Sequence, residues 1–457
     1  MSNPPQIRFI SDCFIKPQYA LEDSKQPLYL SPWDLAMLSV HYIQKGLLFT
    51  KPQAAYEQKD FIKTLLDKLK HSLSVTLVHF YPLAGRLVTH KNENPPSSLI
   101  FVDCMNSPGA KFIHATLDMT ISDILSPTDV PLITQSFFDH DRALNYDGHT
   151  RPLLSIQVTE LKDGIFIGCS INHCIVDGTS YWHFFNAWSE VFQAQGNDIS
   201  MTRPPIHKRW FPDGVDPILN LPFTHQDEFL SRFEAPKLRE RFFNFSSESI
   251  AKLKAKANAE SNTNKISSFQ SLSALLWRCI TRARCLPHDQ VTSCRLAMNN
   301  RSRMEPPLSN DYFGNSIAPK AGVTTAGELL EHSLGWAAWK LHEAVANQTD
   351  KVVRDWIDSW LQSPFIYQLA RDFDPYSIMM GSSPRFNMYG NEFGMGKALA
   401  LRSGYAHKFD GKVSAFPGYE EGSIDLEVCL LPDSMRAIES DEEFMDAVSL
   451  SHSHQLH

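Results

Sequence analysis

The 457-residue chain is narrowed first by what it lacks. None of its eight cysteines forms a Cys-x-x-Cys pair, so neither a zinc site nor a disulfide framework is signalled. No apolar run approaches the roughly 18 residues a membrane span requires. The opening Met1-Ser2-Asn3-Pro4-Pro5-Gln6 has neither the basic nor the apolar region of a secretory leader. No Lys/Arg cluster tracks a phosphate backbone and the formal net charge is −8, which argues against nucleic acid as a partner. There is no P-loop, no G-x-G-x-x-G, no internal repeat and no low-complexity tract. These absences favour a cytoplasmic protein with no metal and no membrane partner.

What remains is an ordinary globular composition, 43% hydrophobic and 21% charged. The length argues for two or more domains, each able to bury a core without covalent staples. A strand is expected at Gln6–Ile10, an apolar segment with strand character at Leu35–Leu48, and a helix over Phe61–Tyr81 from its apolar spacing. Leu99–Val102 and Lys111–Ala115 suit short strands. Leu153–Val158 and Gly164–Asn172 read as a hairpin turned at Asp163-Gly164. Thr179–Phe192 then carries a helical apolar face of Tyr181, Phe184, Phe185, Trp188 and Phe192, with Thr179 as a candidate cap.

Residues 202–223 hold five prolines and few periodic apolar residues, which marks a crossover linker. It divides residues 1–201 from 224–457, with part of 380–410 free to pack against the first half. Beyond it the pattern gives a helix at Ser268–Arg284, a strand at Val291–Met298, a long helix at Ala326–Asn347, a strand at Gly422–Leu431 and a final helix at Ser434–Val448. The mixture of elements is α/β.

Chemistry concentrates at His173. In Ile165–His173, alternation puts Ile165, Ile167, Cys169, Ile171 and His173 on one face, so the histidine ends a buried strand just before a glycine and a helix. An imidazole held there suits a general base near neutral pH. It equally suits a core histidine bonded to backbone. The spacing His173-Cys-Ile-Val-Asp177 recurs at His114-Ala-Thr-Leu-Asp118, which lacks the glycine, the preceding strand run and the following helix; His114 reads as a strand or surface residue. Cys174 falls on the opposite face from His173 and is discounted as a nucleophile.

Asn172-His-Cys-Ile-Val-Asp-Gly178 resembles the HxxxDG motif of the plant BAHD acyltransferases. Further stretches resemble the family in order: Ser31-Pro-Trp-Asp-Leu35, Tyr81-Pro-Leu-Ala-Gly-Arg86, Ser268–Arg278, Asn299-Asn-Arg301 and Tyr312-Phe-Gly-Asn315. Glu392-Phe393-Gly394-Met395-Gly396 is similar to the DFGWG signature, with Glu for Asp and Met for Trp. The resemblance implies two chloramphenicol-acetyltransferase-like α/β domains with a solvent channel between them. His173 would lie at its middle as general base, with acyl-CoA as cosubstrate and a hydroxyl or amine acceptor entering opposite. It also implies a monomer with no bound cofactor. Asp177 then becomes a structural partner of Arg301, with Arg303 competing, and Gly178 completes the motif. The Glu392–Gly396 loop supports domain geometry, and Met395 fills space without an indole N–H. CoA is expected near Lys265, Ser267 and Ser268, where a helix N-terminus favours a phosphate. A lyase on the same fold, or a non-catalytic metabolite-binding protein, is the alternative.

Overall fold

The computed structural model describes residues 5–194 and 201–449. Two six-stranded sheets form the frame. The first runs, in spatial order, Arg8–Ile15, Ala110–Thr116, Leu154–Glu160, Gly164–Ile171, Ile43–Thr50 and Ala400–Ser403. The second runs Arg239–Phe245, Ile424–Leu430, Lys412–Pro417, Ile378–Gly381, Val291–Asn299 and Ile317–Thr325. Both are mixed: Ala110–Thr116 is parallel to Leu154–Glu160, and Ile378–Gly381 is parallel to both its neighbours.

The strand Gly164–Ile171 is buried along its whole length because it pairs on both edges and is covered on both faces. That is why it reads as a nearly continuous apolar run. The helices Phe61–His79 and Gly178–Gln193 pack together, tied by the Trp188 indole N–H, which donates to Ser72 Oγ at 3.0 Å. In the second half Ser247–Glu260, Ser268–Ala283 and Leu334–Ala346 pack on one another, around Leu272, Leu275, Trp277 and Leu341.

Residues from far down the chain complete the first sheet. Ala400–Ser403 runs antiparallel to Ile43–Thr50, with Ala400 opposite Leu48. The proline-rich crossover is more than a spacer. Asn220–Leu221 adds to the small sheet of Leu28–Tyr29, Pro96–Asp103 and Arg86–Glu93, and Arg209 is drawn into the interior.

Several expected elements change. The segment Leu35–Leu48 is not one unit: Pro32–Leu35 is a single helical turn closed by a Ser31/Asp34 capping box, and the strand starts at Ile43. The first strand spans Arg8–Ile15 rather than Gln6–Ile10. Ala326–Asn347 breaks into Ala326–Glu331 and Leu334–Ala346, because Ser333 caps a new helix by accepting from Trp336 N at 3.2 Å. Ser434–Val448 breaks likewise at Asp441, which caps Glu442–Met445. The helix Asp350–Gln362 has no counterpart in the sequence reading. Among the described residues no helix is long and apolar enough to cross a membrane.

Candidate active site at the junction of the two sheets

His173 lies in the turn two residues beyond the strand Gly164–Ile171 rather than ending it, and its backbone is clamped from both sides. Its N–H donates to Asn145 Oδ1 at 2.7 Å, and its carbonyl accepts from Asn315 Nδ2 at 2.7 Å. The neighbouring Asn172 accepts from Cys174 N at 3.0 Å and donates to the Asn145 carbonyl at 2.8 Å. Each backbone group that could let the ring wander is therefore held by a buried amide side chain.

The imidazole keeps partial exposure although it lies deep in the molecule. Burial pushes its pKa below 6.5, against the opposing pull of its own and the Val176 carbonyls, Asp177 and Asn315. The ring is therefore neutral at neutral pH. Nδ1 is buried and makes no hydrogen bond among the described residues, so Nε2 is the nitrogen left to meet a ligand.

Asp177 is fully buried and does three jobs. Its carboxylate accepts from Arg301 at 2.6 and 3.1 Å, from Ser316 N at 3.0 Å, and from Ser180 N at 3.0 Å. The last contact makes Asp177 the cap of the helix Gly178–Gln193. Thr179, the expected cap, already lies inside the first turn, while Asp177 has the extended backbone a cap requires. Arg301 also donates to Ser180 Oγ and to the Tyr312 and Gly314 carbonyls at 2.9–3.1 Å. Arg303 points elsewhere, to the carbonyls of Val345 and Gln348, both at 2.9 Å. Gly178 has no left-handed backbone; it leaves room for Phe386, whose ring a Cβ would meet at 3.3 Å.

A second buried ion pair escaped the sequence reading. Arg209 Nε donates to Asp34 Oδ2 at 2.7 Å, and the same carboxylate accepts from Asn315 Nδ2 at 2.9 Å. Asn315 thus links Asp34 to the carbonyl of His173. The family resemblance marks the stretches Ser31–Leu35 and Tyr312–Asn315 without giving them a role; Arg209 carries no signal, being one arginine in an irregular segment.

Cys174 is buried and its thiol is pushed well above its ordinary pKa, so it holds no ready thiolate. His114 sits on its strand with Nε2 2.6 Å from Glu160, and Asp118 pairs instead with Lys162 at 3.1 Å.

The Glu392–Gly396 loop packs on the helix Gly178–Gln193. Phe393 is fully buried against Trp188 and Phe185, with ring centroids 4.7 and 5.6 Å away. Phe393, Gly394 and Gly396 have φ of +45°, +72° and +81°, so both glycines stand where side chains are strained. Glu392 is exposed, and Met395, half-buried, lines a small cavity with Phe61, Leu65 and Phe192.

Ser267 caps the helix Ser268–Ala283 in a box with Gln270. Both Ser267 and Ser268 line a surface cavity of about 540 Å³. Lys265 is exposed and outside that lining; Lys254, Arg385 and Lys397 are the cations within it.

Two mixed α/β units meet at His173, and the class, a two-domain acyltransferase, follows from the family the chain matches. The Transferase family model matches residues 6–445, and the chain belongs to this family, the BAHD acyltransferases. An uncharacterised acetyltransferase of Arabidopsis thaliana is 36% identical over 447 residues, covering 96% of this chain and 99% of the relative. BAHD acyltransferase DCR of the same plant is 32% identical over 456 residues, covering 96% and 92%. Among solved structures, TRI101 of F. graminearum complexed with coenzyme A and deoxynivalenol is similar in fold, with a TM-score of 0.72 at 18% identity over 93% of this chain and 99% of that one.

Proposed function

We propose that the chain transfers an acyl group from an acyl-CoA to a hydroxyl or amine of a specialised metabolite, with His173 as general base. The observation that carries this reading is the double clamp on the His173 backbone, which presents a neutral imidazole at the meeting of the two sheets.

In this mechanism both substrates are bound together, so no acyl-enzyme is needed. The acceptor O–H or N–H gives its proton to Nε2 as the oxygen or nitrogen attacks the thioester carbonyl. The tetrahedral intermediate then collapses, the C–S bond breaks, and the imidazolium returns the proton to the departing CoA sulfur. Asp177, Arg301 and Gly178 are structural in this scheme, as is the Glu392–Gly396 loop. Support for CoA comes from the cavity at Ser267 and Ser268 with its three cations, and from a similarly folded protein solved with coenzyme A. Of the two alternatives, a lyase would run without CoA and a binding protein without turnover.

The test is incubation of the purified chain with a panel of acyl-CoAs and pooled plant alcohols and amines, read by mass spectrometry. Acylated product that disappears in His173→Ala supports the proposal. Full rate in that variant overturns the role of His173, and the absence of product across the panel overturns acyl transfer.

A further inference from the structure

Between the two large sheets the chain gathers four cations: Lys45 on Ile43–Thr50, Arg402 on Ala400–Ser403, Lys408, and Lys412 at the start of Lys412–Pro417. Two of them are provided for. Lys408 pairs with Glu240 and lies 3.8 Å from Glu427. Arg402 donates to the Leu401 carbonyl at 2.8 Å, lies 4.4 Å over the Phe242 ring and feels Glu427, Glu240 and Asp425.

Lys45 and Lys412 are different. Among the described residues, neither ammonium has a hydrogen bond or an ion pair; Lys45 lies 4.5 Å over the Phe416 ring, and Lys412 passes where Gly381 has no side chain. Glu427, the nearest source of relief for Lys45, is already shared with Lys408 and accepts from Ser403 at 2.5 Å. Both lysines are half-buried, and burial lowers both pKa values, that of Lys412 to about 8 with repulsion from Lys45 adding to it. Each ammonium reaches solvent yet has no fixed counter-ion among the described residues, which leaves it free to pair with an anion that enters between the sheets.

The path from these amines leads to the base. The loop from Ser403 to Lys412 carries His407, whose ring stands edge-on to His173 with centroids 5.7 Å apart. His407 has a left-handed backbone, φ +61°, and a buried Nε2 without a partner, and both Lys45 and Lys412 act on it electrostatically. A non-glycine residue held in that conformation at a site is a mark of functional constraint. The cavity at Ser267 reaches Pro417, about 17 Å along the strand from Lys412 at 3.3 Å per residue. Lys412 therefore stands apart from any anion that cavity holds, and Lys45, over Phe416, lies between the two.

We propose that Lys45 and Lys412 bind the carboxylate of a substrate whose reacting end lies at His173. The proposal rests on the acyl-transfer reading for which end reacts, but the anion site stands on its own geometry. The carboxylate could belong to the acceptor or to the acyl chain, and the experiment separates these sources.

The acceptor probes are 4-(hydroxymethyl)benzoate and trans-4-hydroxycyclohexanecarboxylate, each against its methyl ester. The acyl probes are succinyl-CoA against butyryl-CoA. Dissociation constants are measured by calorimetry on the wild type, Lys45→Met and Lys412→Met, with Lys45→Arg and Lys412→Arg as charge-keeping controls and thermal melts as the folding check. The expected result is binding of the acid about 10-fold or more tighter than its neutral mate in one arm, the range of one charged hydrogen bond. That preference is lost in the Met variants and kept in the Arg variants. Should a Met variant fail to fold, Lys→Gln replaces it. Equal binding of acid and neutral mate in both arms, no binding of any probe, or a preference that survives both Met variants overturns the proposal. Preferential binding without turnover leaves the anion site in place and removes acyl transfer; turnover without preference does the reverse.

Discussion

Arg301 grips both carboxylate oxygens of Asp177, at 2.6 and 3.1 Å, with neither side chain reaching solvent. The pair joins the end of the His173 motif to the segment 312–316, and so fastens the first half of the chain to the second at the site itself. Removing one partner strands the other as a buried charge. Asp177→Ala is expected to lose about 3–5 kcal/mol, measured by urea unfolding. The double replacement Asp177→Leu with Arg301→Met should recover part of that loss. Because folding holds the Asp177 carboxyl below its ordinary pKa of 3.8, its contribution is complete above that value and fades only as pH falls through the lower folded value.

Removing the imidazole of His173 should lower kcat by more than about 100-fold without changing the melting temperature, the size expected for a general base. Steady-state kinetics beside a thermal melt decides it.

Since burial places the His173 pKa below 6.5, kcat/KM should rise with pH through an inflection below 6.5 and stay level beyond it. An inflection above 6.5 in a pH–rate profile would contradict a neutral, desolvated base.

Other histidines are held in the neutral form, among them His41 and His140, both buried, with pKa pushed down to about 4, and the half-buried His207, to about 3. Unfolding lets each take a proton below pH 6.5. The stability they supply is complete above that pH and declines as pH falls toward 4, by up to about 1.4 kcal/mol per pH unit for each histidine. Calorimetry between pH 7 and 4.5 should find proton uptake on unfolding and a falling transition temperature.

Phe393 fills a fully buried aromatic pocket, so Phe393→Ala should cost about 3–5 kcal/mol and leave the His173 clamp intact. A lowered denaturation midpoint with near-normal kcat at low temperature is the expected pair of results.

The sequence carried the motif but not the supports. Strand alternation and the glycine after Asp177 delivered His173 to within two residues of the end of the strand Gly164–Ile171, because a period of two is a local property. The helix Gly178–Gln193 was legible from its aromatic face, yet its cap was misplaced by two residues, since a cap depends on one backbone conformation at Asp177. Asn145, Arg209 and His407 act across 28 to 366 positions of sequence, through contacts with His173, Asp34 and His41 that no periodicity encodes. The break at Ser333 hid in an apolar pattern that continues through it. Lys265 attracted attention by nearness in sequence to Ser267, whereas the cations beside that serine, Lys254, Arg385 and Lys397, come from three separate segments.

The strand Ala400–Ser403 sets a timetable for biosynthesis. Its partner Ile43–Thr50 leaves the ribosome some 350 residues earlier, and at 5–20 residues per second the edge at Leu47 and Leu48 waits roughly 20 to 70 s for its neighbour. Through that interval a nascent chain displays an unpaired apolar β-edge of the kind that recruits other chains. Truncation ahead of residue 400 makes the exposure permanent, so the first half of this protein, for all its complete motif, is a poor candidate for independent expression.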